Sequence, residues 1–227
     1  MAKKIKKRKK LRVFRLFLLL LILGLVYLLL DSYLNTKIKN IVIKNTTYLK
    51  DQAILEMANL DDYPSFYWTS SNSIKRRLLS SPFIKEVKVD KKFYHVIEIT
   101  IEEYEILFQK ESDGKVVLEN KEELIPDTKI LGIPSLMNYV PDTKYDAFIK
   151  GMTEMDPSIK SKISEIQYDP NEFDKDRFLL YMDDGNSVYL TLTKFDMINH
   201  YNEVLPQLEG KKGILYLDSG NHFEIKE

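Results

Sequence analysis

From Val13 to Leu30 the chain is one apolar run broken only by Arg15, and beyond it the apolar residues recur every second, or every third to fourth, position in short stretches. Crossing a hydrocarbon layer of about 30 Å takes roughly 20 helical residues, so these 18, extended to Leu34, predict one membrane-spanning helix. The next stretch, Ile38 to Lys44, is rich in β-branched residues and stops at Asn45-Thr46-Thr47, which predicts a strand. Leu49 to Ala58 carries Ile54 and Ala58 four apart, the spacing of one helix face. A loop at 61–65 precedes a second helix with Ile74 and Leu78 on one face, possible caps in Ser71-Asn72-Ser73, and an end forced before Pro82. Phe83 to Val89 and Val96 to Ile101 then alternate with period two, with Ile97, Ile99 and Ile101 together on one face.

The resulting order is strand, helix, helix, strand, strand. Placed just after an apolar anchor, and containing Asn45-Thr46-Thr47-Tyr48-Leu49, Ser81-Pro82-Phe83-Ile84-Lys85-Glu86-Val87-Lys88-Val89 and Ile99-Thr100-Ile101-Glu102-Glu103-Tyr104-Glu105, it resembles the POTRA domain of the FtsQ/DivIB bacterial cell-division proteins. The chain departs from that pattern at Tyr104 and Ile106, where the family commonly has Arg and Pro.

Further on, Asp113-Gly114 turns into a strand over 115–119, and Leu131 to Leu136 matches a Leu-Pro-hydrophobic-Gly-like segment of the family. Residues 145–163 are expected to be helical, as two short helices because Pro157 suits a first turn. Strands are expected over 163–168, 178–182 and 188–192, the last two joined by the hairpin signal Asp183-Asp184-Gly185-Asn186-Ser187. Thr193 is placed to cap a helix over 194–205, on which Phe195, Ile198, Tyr201 and Leu205 share a face. A strand and turn over 213–220 come next, then Phe223 and Ile225. This layout is similar to the β domain that follows POTRA in FtsQ/DivIB. The expected fold class is α+β: a basic arm at 1–12, a membrane helix at 13–34, a POTRA-like domain at 35–106, and a mixed β domain with a carboxyl-terminal edge strand at 107–227.

Charge orients this plan. The twelve residues before the apolar run carry eight basic side chains and no acidic one, an imbalance held on the cytoplasmic side. Arg15 can snorkel to the same side. No Ala-x-Ala-like site follows the run, so an uncleaved anchor is expected rather than a signal peptide. All 34 acidic residues follow Leu30, against 25 of the 34 basic ones, which leaves that part at a formal charge of −9. Such a surface argues against nucleic acid, which needs concentrated positive charge. Zero cysteines exclude a disulfide scaffold and thiol nucleophiles, so packing must supply the stability, with 14 Tyr and 11 Phe as material.

Catalytic patterns are weak. His95, His200 and His222 lack metal-ligand spacing, and Ser112-x-x-Lys115 sits in a turn without the companion motifs of penicillin-binding enzymes. Glu102, Glu103 and Glu105 read as a solvated face, and 183–186 as a plain hairpin turn rather than a calcium loop. Trp68 reads as a core plug under the helices, with an exposed contact patch as the alternative. No cofactor, metal, catalytic group or small-molecule substrate is expected.

An open sheet edge, by contrast, carries unpaired backbone groups that accept a partner strand. The resemblance implies that the last strand and turn, with the preceding helix, dock the partners FtsL and DivIC/FtsB, which carries over to Leu215, Leu217, Ser219, Gly220, Phe223 and Ile225 as edge residues. For Leu215 and Leu217 a plain core role is the competing reading. The implied function is a non-enzymatic scaffold that assembles septal wall synthesis at the division site. The alternative is a POTRA-bearing chaperone or secretion accessory of the envelope.

Overall fold

The computed structural model describes residues 3–126 and 130–226. Helix α1, Lys3–Leu34, contains Val13–Leu34, 22 residues of mean hydropathy 2.8, none of them buried, long and apolar enough to cross a membrane. The basic side chains of the arm at 1–12 lie outside the described part. The chain divides into two compact units, between Glu103 and Tyr104.

In the first unit, β1 (Asn40–Lys44), α2 (Asp51–Ala58), α3 (Ser71–Leu78), β2 (Ile84–Lys92) and β3 (Val96–Glu103) follow the expected order. The sheet runs β1-β3-β2, with β1 parallel and β2 antiparallel to β3. Alternation on β3 sends Ile97, Ile99 and Ile101 into a core with Ile54, Ala58, Ile74 and Leu78, each fully or almost fully buried. Two readings are corrected here. Glu103 is not part of a solvated face: its carboxylate accepts the backbone N–H groups of Thr47, Tyr48 and Leu49 at 3.2, 2.7 and 3.1 Å, because the end of β3 meets the turn leading into α2. Trp68 is 71% exposed and no core plug, since Ile54, Leu60, Ile74 and Leu78 already fill the space beneath the helices and Phe66 packs at their margin.

The second unit is built on one nine-stranded sheet. Its strands are β4 (Ile106–Lys110), β5 (Val116–Leu118), β6 (Glu123–Leu124), β7 (Ser135–Leu136), β8 (Ile163–Tyr168), β9 (Arg177–Met182), β10 (Ser187–Thr191), β11 (Gly213–Tyr216) and β12 (His222–Ile225). The order is β12-β11-β10-β9-β8-β7-β4-β5-β6, so β12 and β6 are the outer strands. Helices α4 (Asp142–Glu154) and α5 (Pro157–Lys160) come as two, with the Asp156 carboxylate accepting from the Ser158 N–H and Pro157 in the first turn. Phe148 of α4 stacks on Phe178 of β9 at 4.8 Å, and Phe195 meets both rings edge-on. Glu105 also leaves the expected solvated face: it pairs with Lys160, which is 4% exposed, at 2.8 Å. A lysine so enclosed requires a carboxylate beside it.

The expected α-helix over 194–205 is mostly a 3-10 structure. Leu192–His200 and Leu205–Leu208 are 3-10 segments flanking one short helix, α6 (Tyr201–Val204), and the backbone at Lys194 departs from helical values. Phe195, Ile198 and Tyr201 are three residues apart, and at three residues per turn all three side chains reach the core. Pro206 keeps the next stretch short. Thr193 lies inside the 3-10 segment rather than capping it.

Candidate partner-binding edge

Strand β11 enters the sheet parallel to β10 after the helical connection and pairs on its other side with β12. Leu215 and Leu217 are therefore not edge residues: they are 4% and 6% exposed and belong to the core. The outer strand is β12. Ser219 and Gly220 lie exposed in the turn between the two strands, Phe223 is half-buried against the core, and Ile225 is 54% exposed.

The hydrogen bonds fix which groups of β12 are free. Lys226 N–H donates to the Lys212 carbonyl, whereas Leu217 N–H donates away from β12, to Tyr189 of β10. Antiparallel pairs alternate between bonded and non-bonded, so with Ile214 opposite Glu224 and Tyr216 opposite His222, residues 222 and 224 bond inward. The backbone N–H and C=O of Phe223 and Ile225 point out of the sheet. Their side chains fall on the face of the helical connection, where a groove of about 540 Å³ is bounded by Met197, Val204, Leu208, Leu215, Phe223 and Ile225 among others. His200, Gln207, Lys211 and Asn221 add polar groups to the lining, and such a mixed groove beside a row of outward backbone groups suits an extended segment that alternates apolar and polar side chains.

Three contacts hold this edge in place. Asn186, 2% exposed, donates to the Tyr201 hydroxyl at 3.0 Å and accepts from Gly213 N–H at 3.0 Å. Tyr201 in turn donates to Asp184 at 2.8 Å. The hairpin turn at 183–186 is thus a clasp joining the helical connection to β11, not a plain turn. Burial pushes the Tyr201 hydroxyl up, aided by its bond to Asp184. Burial alone would raise the Asp184 carboxyl, but the Asn186 N–H and the Tyr201 hydroxyl outweigh it and hold it below its ordinary value. That contribution to stability is complete above the ordinary carboxylate range and is lost as pH falls through the lowered value.

On the far face, Tyr189, Tyr216 and His222 stack in a ladder across β10, β11 and β12 at 5.4 and 4.6 Å, and the Arg177 guanidinium lies 3.5 Å from the centre of the Tyr189 ring. Arg177 also pairs at 3.0 Å with Asp218, which anchors the β11–β12 turn. Arg177, Asn186 and Tyr201 lie outside the expected site residues. Asn186 at the end of a hairpin signal and the polar end of Tyr201 on an apolar helix face were the only signals in the sequence.

Gly213 is the closest point of approach. A Cβ built there would lie 2.0 Å from the backbone oxygen of Glu224, so only glycine lets β12 pair at this register. Gly213→Ala is expected to displace β12 at a cost of about 1–3 kcal/mol. Proteolysis should then cut between 217 and 222 faster than in the parent chain. Unchanged cleavage would mean that β12 is not held against Gly213.

Among the described residues, no group of three or more His, Asp or Glu side chains converges to hold a metal. His95 packs on Phe66 and Tyr67, and His200 faces Glu203 at 3.2 Å.

The family model of the FtsQ-type POTRA domain matches residues 36–104, and that of the FtsQ/DivIB C-terminal region matches 108–219. The chain belongs to the FtsQ/DivIB family. Among curated relatives, Cell division protein DivIB of Bacillus subtilis is 28% identical over 97% of this chain and 88% of its own length. DivIB of Bacillus cytotoxicus is 29% identical over 83% and 76%. The extracytoplasmic domain of DivIB from Geobacillus stearothermophilus matches at 23% identity and a TM-score of 0.40, over 48% of this chain and 96% of that one. In FtsQ/DivIB terms, the part of the first unit after α1 matches the POTRA domain, and the second unit up to residue 219, short of β12, matches the C-terminal region.

Proposed function

We propose that this FtsQ/DivIB protein is a non-enzymatic scaffold of the division septum, anchored by α1, which binds the single-pass partners FtsL and DivIC/FtsB along β12 and so helps organise septal wall synthesis. The observation that carries this reading is the outward backbone of Phe223 and Ile225 beside a groove of mixed apolar and polar lining. A strand laid there gains main-chain hydrogen bonds from the edge and side-chain burial from the groove. Ser219 and Gly220, in the tight turn pinned through Asp218, set where such a strand stops.

The basic arm before Val13 supports a cytoplasmic amino terminus, with the residues after Leu34 outside. Because the chain has no cysteine, single cysteines at Lys4 and Lys144 test this cleanly in cells with a permeable wall. An impermeant thiol reagent is expected to label position 144 and not position 4, and a fluorescent fusion to gather at mid-cell. Labelling of position 4 alone would reverse the topology, and an even envelope signal would contradict a septal role.

A further inference from the structure

Helix α1 passes into the POTRA unit without a free linker. The Leu34 carbonyl accepts from the Ser65 hydroxyl at 2.6 Å, Phe66 N–H donates to the Thr36 carbonyl at 2.9 Å, and the Tyr33 ring meets Tyr67 at 4.6 Å. Lys39 N–H donates to the His95 carbonyl at 2.9 Å, which brings the β2–β3 turn to the same end of the unit. Sheet topology requires this as well: β1 and β3 are parallel and in register from Asn40 and Val96, so the chain leaving α1 and the turn before β3 lie side by side.

That end carries the unit's most exposed aromatic rings. Phe93 is 91% exposed, Tyr94 84% and Trp68 71%, none of them required by the core. Tyr94 and His95 both hold positive φ, 62° and 60°, a conformation uncommon for such residues, and it thrusts the 93–94 pair out of the turn. Exposed Lys37 and Lys39 flank the same end. Aromatic rings with nearby lysines at the end of a spanning helix match the headgroup layer of a bilayer, where amphipathic rings partition and lysines meet anionic phosphates.

We infer that Phe93, Tyr94 and Trp68 form a foot that seats the POTRA unit in the headgroup layer of the extracytoplasmic leaflet, fixing its height and tilt above the membrane. This rests on α1 spanning the membrane.

Trp68 is the only tryptophan, so the full chain reports on itself. In vesicles of phosphatidylethanolamine and phosphatidylglycerol, a nitroxide at the headgroup level is expected to quench Trp68 severalfold more than one at the bilayer centre. Acrylamide in the water should quench it severalfold less than in the Phe93→Ser, Tyr94→Ser double variant, whose changed side chains lie outside the core. A chain that resists carbonate extraction but shows equal acrylamide quenching in parent and variant, and no response to the shallow nitroxide, overturns the foot and leaves the span standing. Protection of Trp68 that arises only in native membranes and not in these vesicles assigns the patch to a protein and overturns it too. Extraction of the chain by carbonate removes the span and the foot together.

Discussion

Ile99→Asp is expected to unfold the POTRA unit, while Thr100→Asp leaves it folded. Ile99 is fully buried at the centre of the sheet, opposite Ile43 on one side and Val89 on the other, with the helices above it. A carboxylate there has no cation or donor to meet, and its desolvation costs more than about 4 kcal/mol, a large share of the roughly 5–15 kcal/mol that holds a domain together. Thr100 points to the opposite, partly solvated face, opposite Lys44 and Lys88, so an aspartate there finds opposite charge across both strand neighbours. Near-ultraviolet circular dichroism of the full chain in detergent, followed on heating, separates the two. Equal melting temperatures for both variants would mean that this strand does not pack by its isoleucine face.

The POTRA strands were legible because their faces differ: one meets the helices and the other meets water, so alternation is written into Val96 to Ile101. The β9–β10 hairpin was legible through its turn chemistry instead, with Gly185 at a φ of 88°, because Phe178, Leu179 and Leu180 of β9 are all buried and do not alternate. Strand β4 left no such trace, since Ile106, Leu107 and Phe108 are all buried and a continuous apolar run has no period to read. Strands β6 and β7 are two residues each, too short for any periodicity. The helical connection was legible as a face but not as a helix type, because spacings of three fit both α and 3-10 geometry.

At the candidate site, Leu215, Phe223 and Ile225 were singled out as edge residues through the family resemblance, but neither the groove nor the order of strands was visible in the sequence. Which of β11 and β12 lies outermost depends on β11 crossing over to pair parallel with β10, a long-range choice that no local pattern encodes. Glu103 and Glu105 escaped for a similar reason. Each is committed to partners more than fifty residues away, the Thr47–Leu49 turn and Lys160.

The register of β12 makes the docking account sharply testable. Ile225→Pro removes an N–H that points out of the sheet, so the pairing of β12 with Gly213 to Tyr216 survives and a partner carbonyl is left without its donor. Ile225→Ala keeps the N–H and controls for the lost side chain. Glu224→Pro removes a donor that faces β11 and is expected to lower the melting temperature instead. The decisive measurement is capture of the FtsL and DivIC/FtsB pair by the full chain in detergent, parent against Ile225→Pro. An unpaired backbone group costs about 1–3 kcal/mol, so affinity is expected to fall about 5- to 150-fold while the melting temperature stays within a few degrees of the parent. An Ile225→Pro chain that stays folded and captures the pair as tightly as the parent and Ile225→Ala would contradict strand addition at β12.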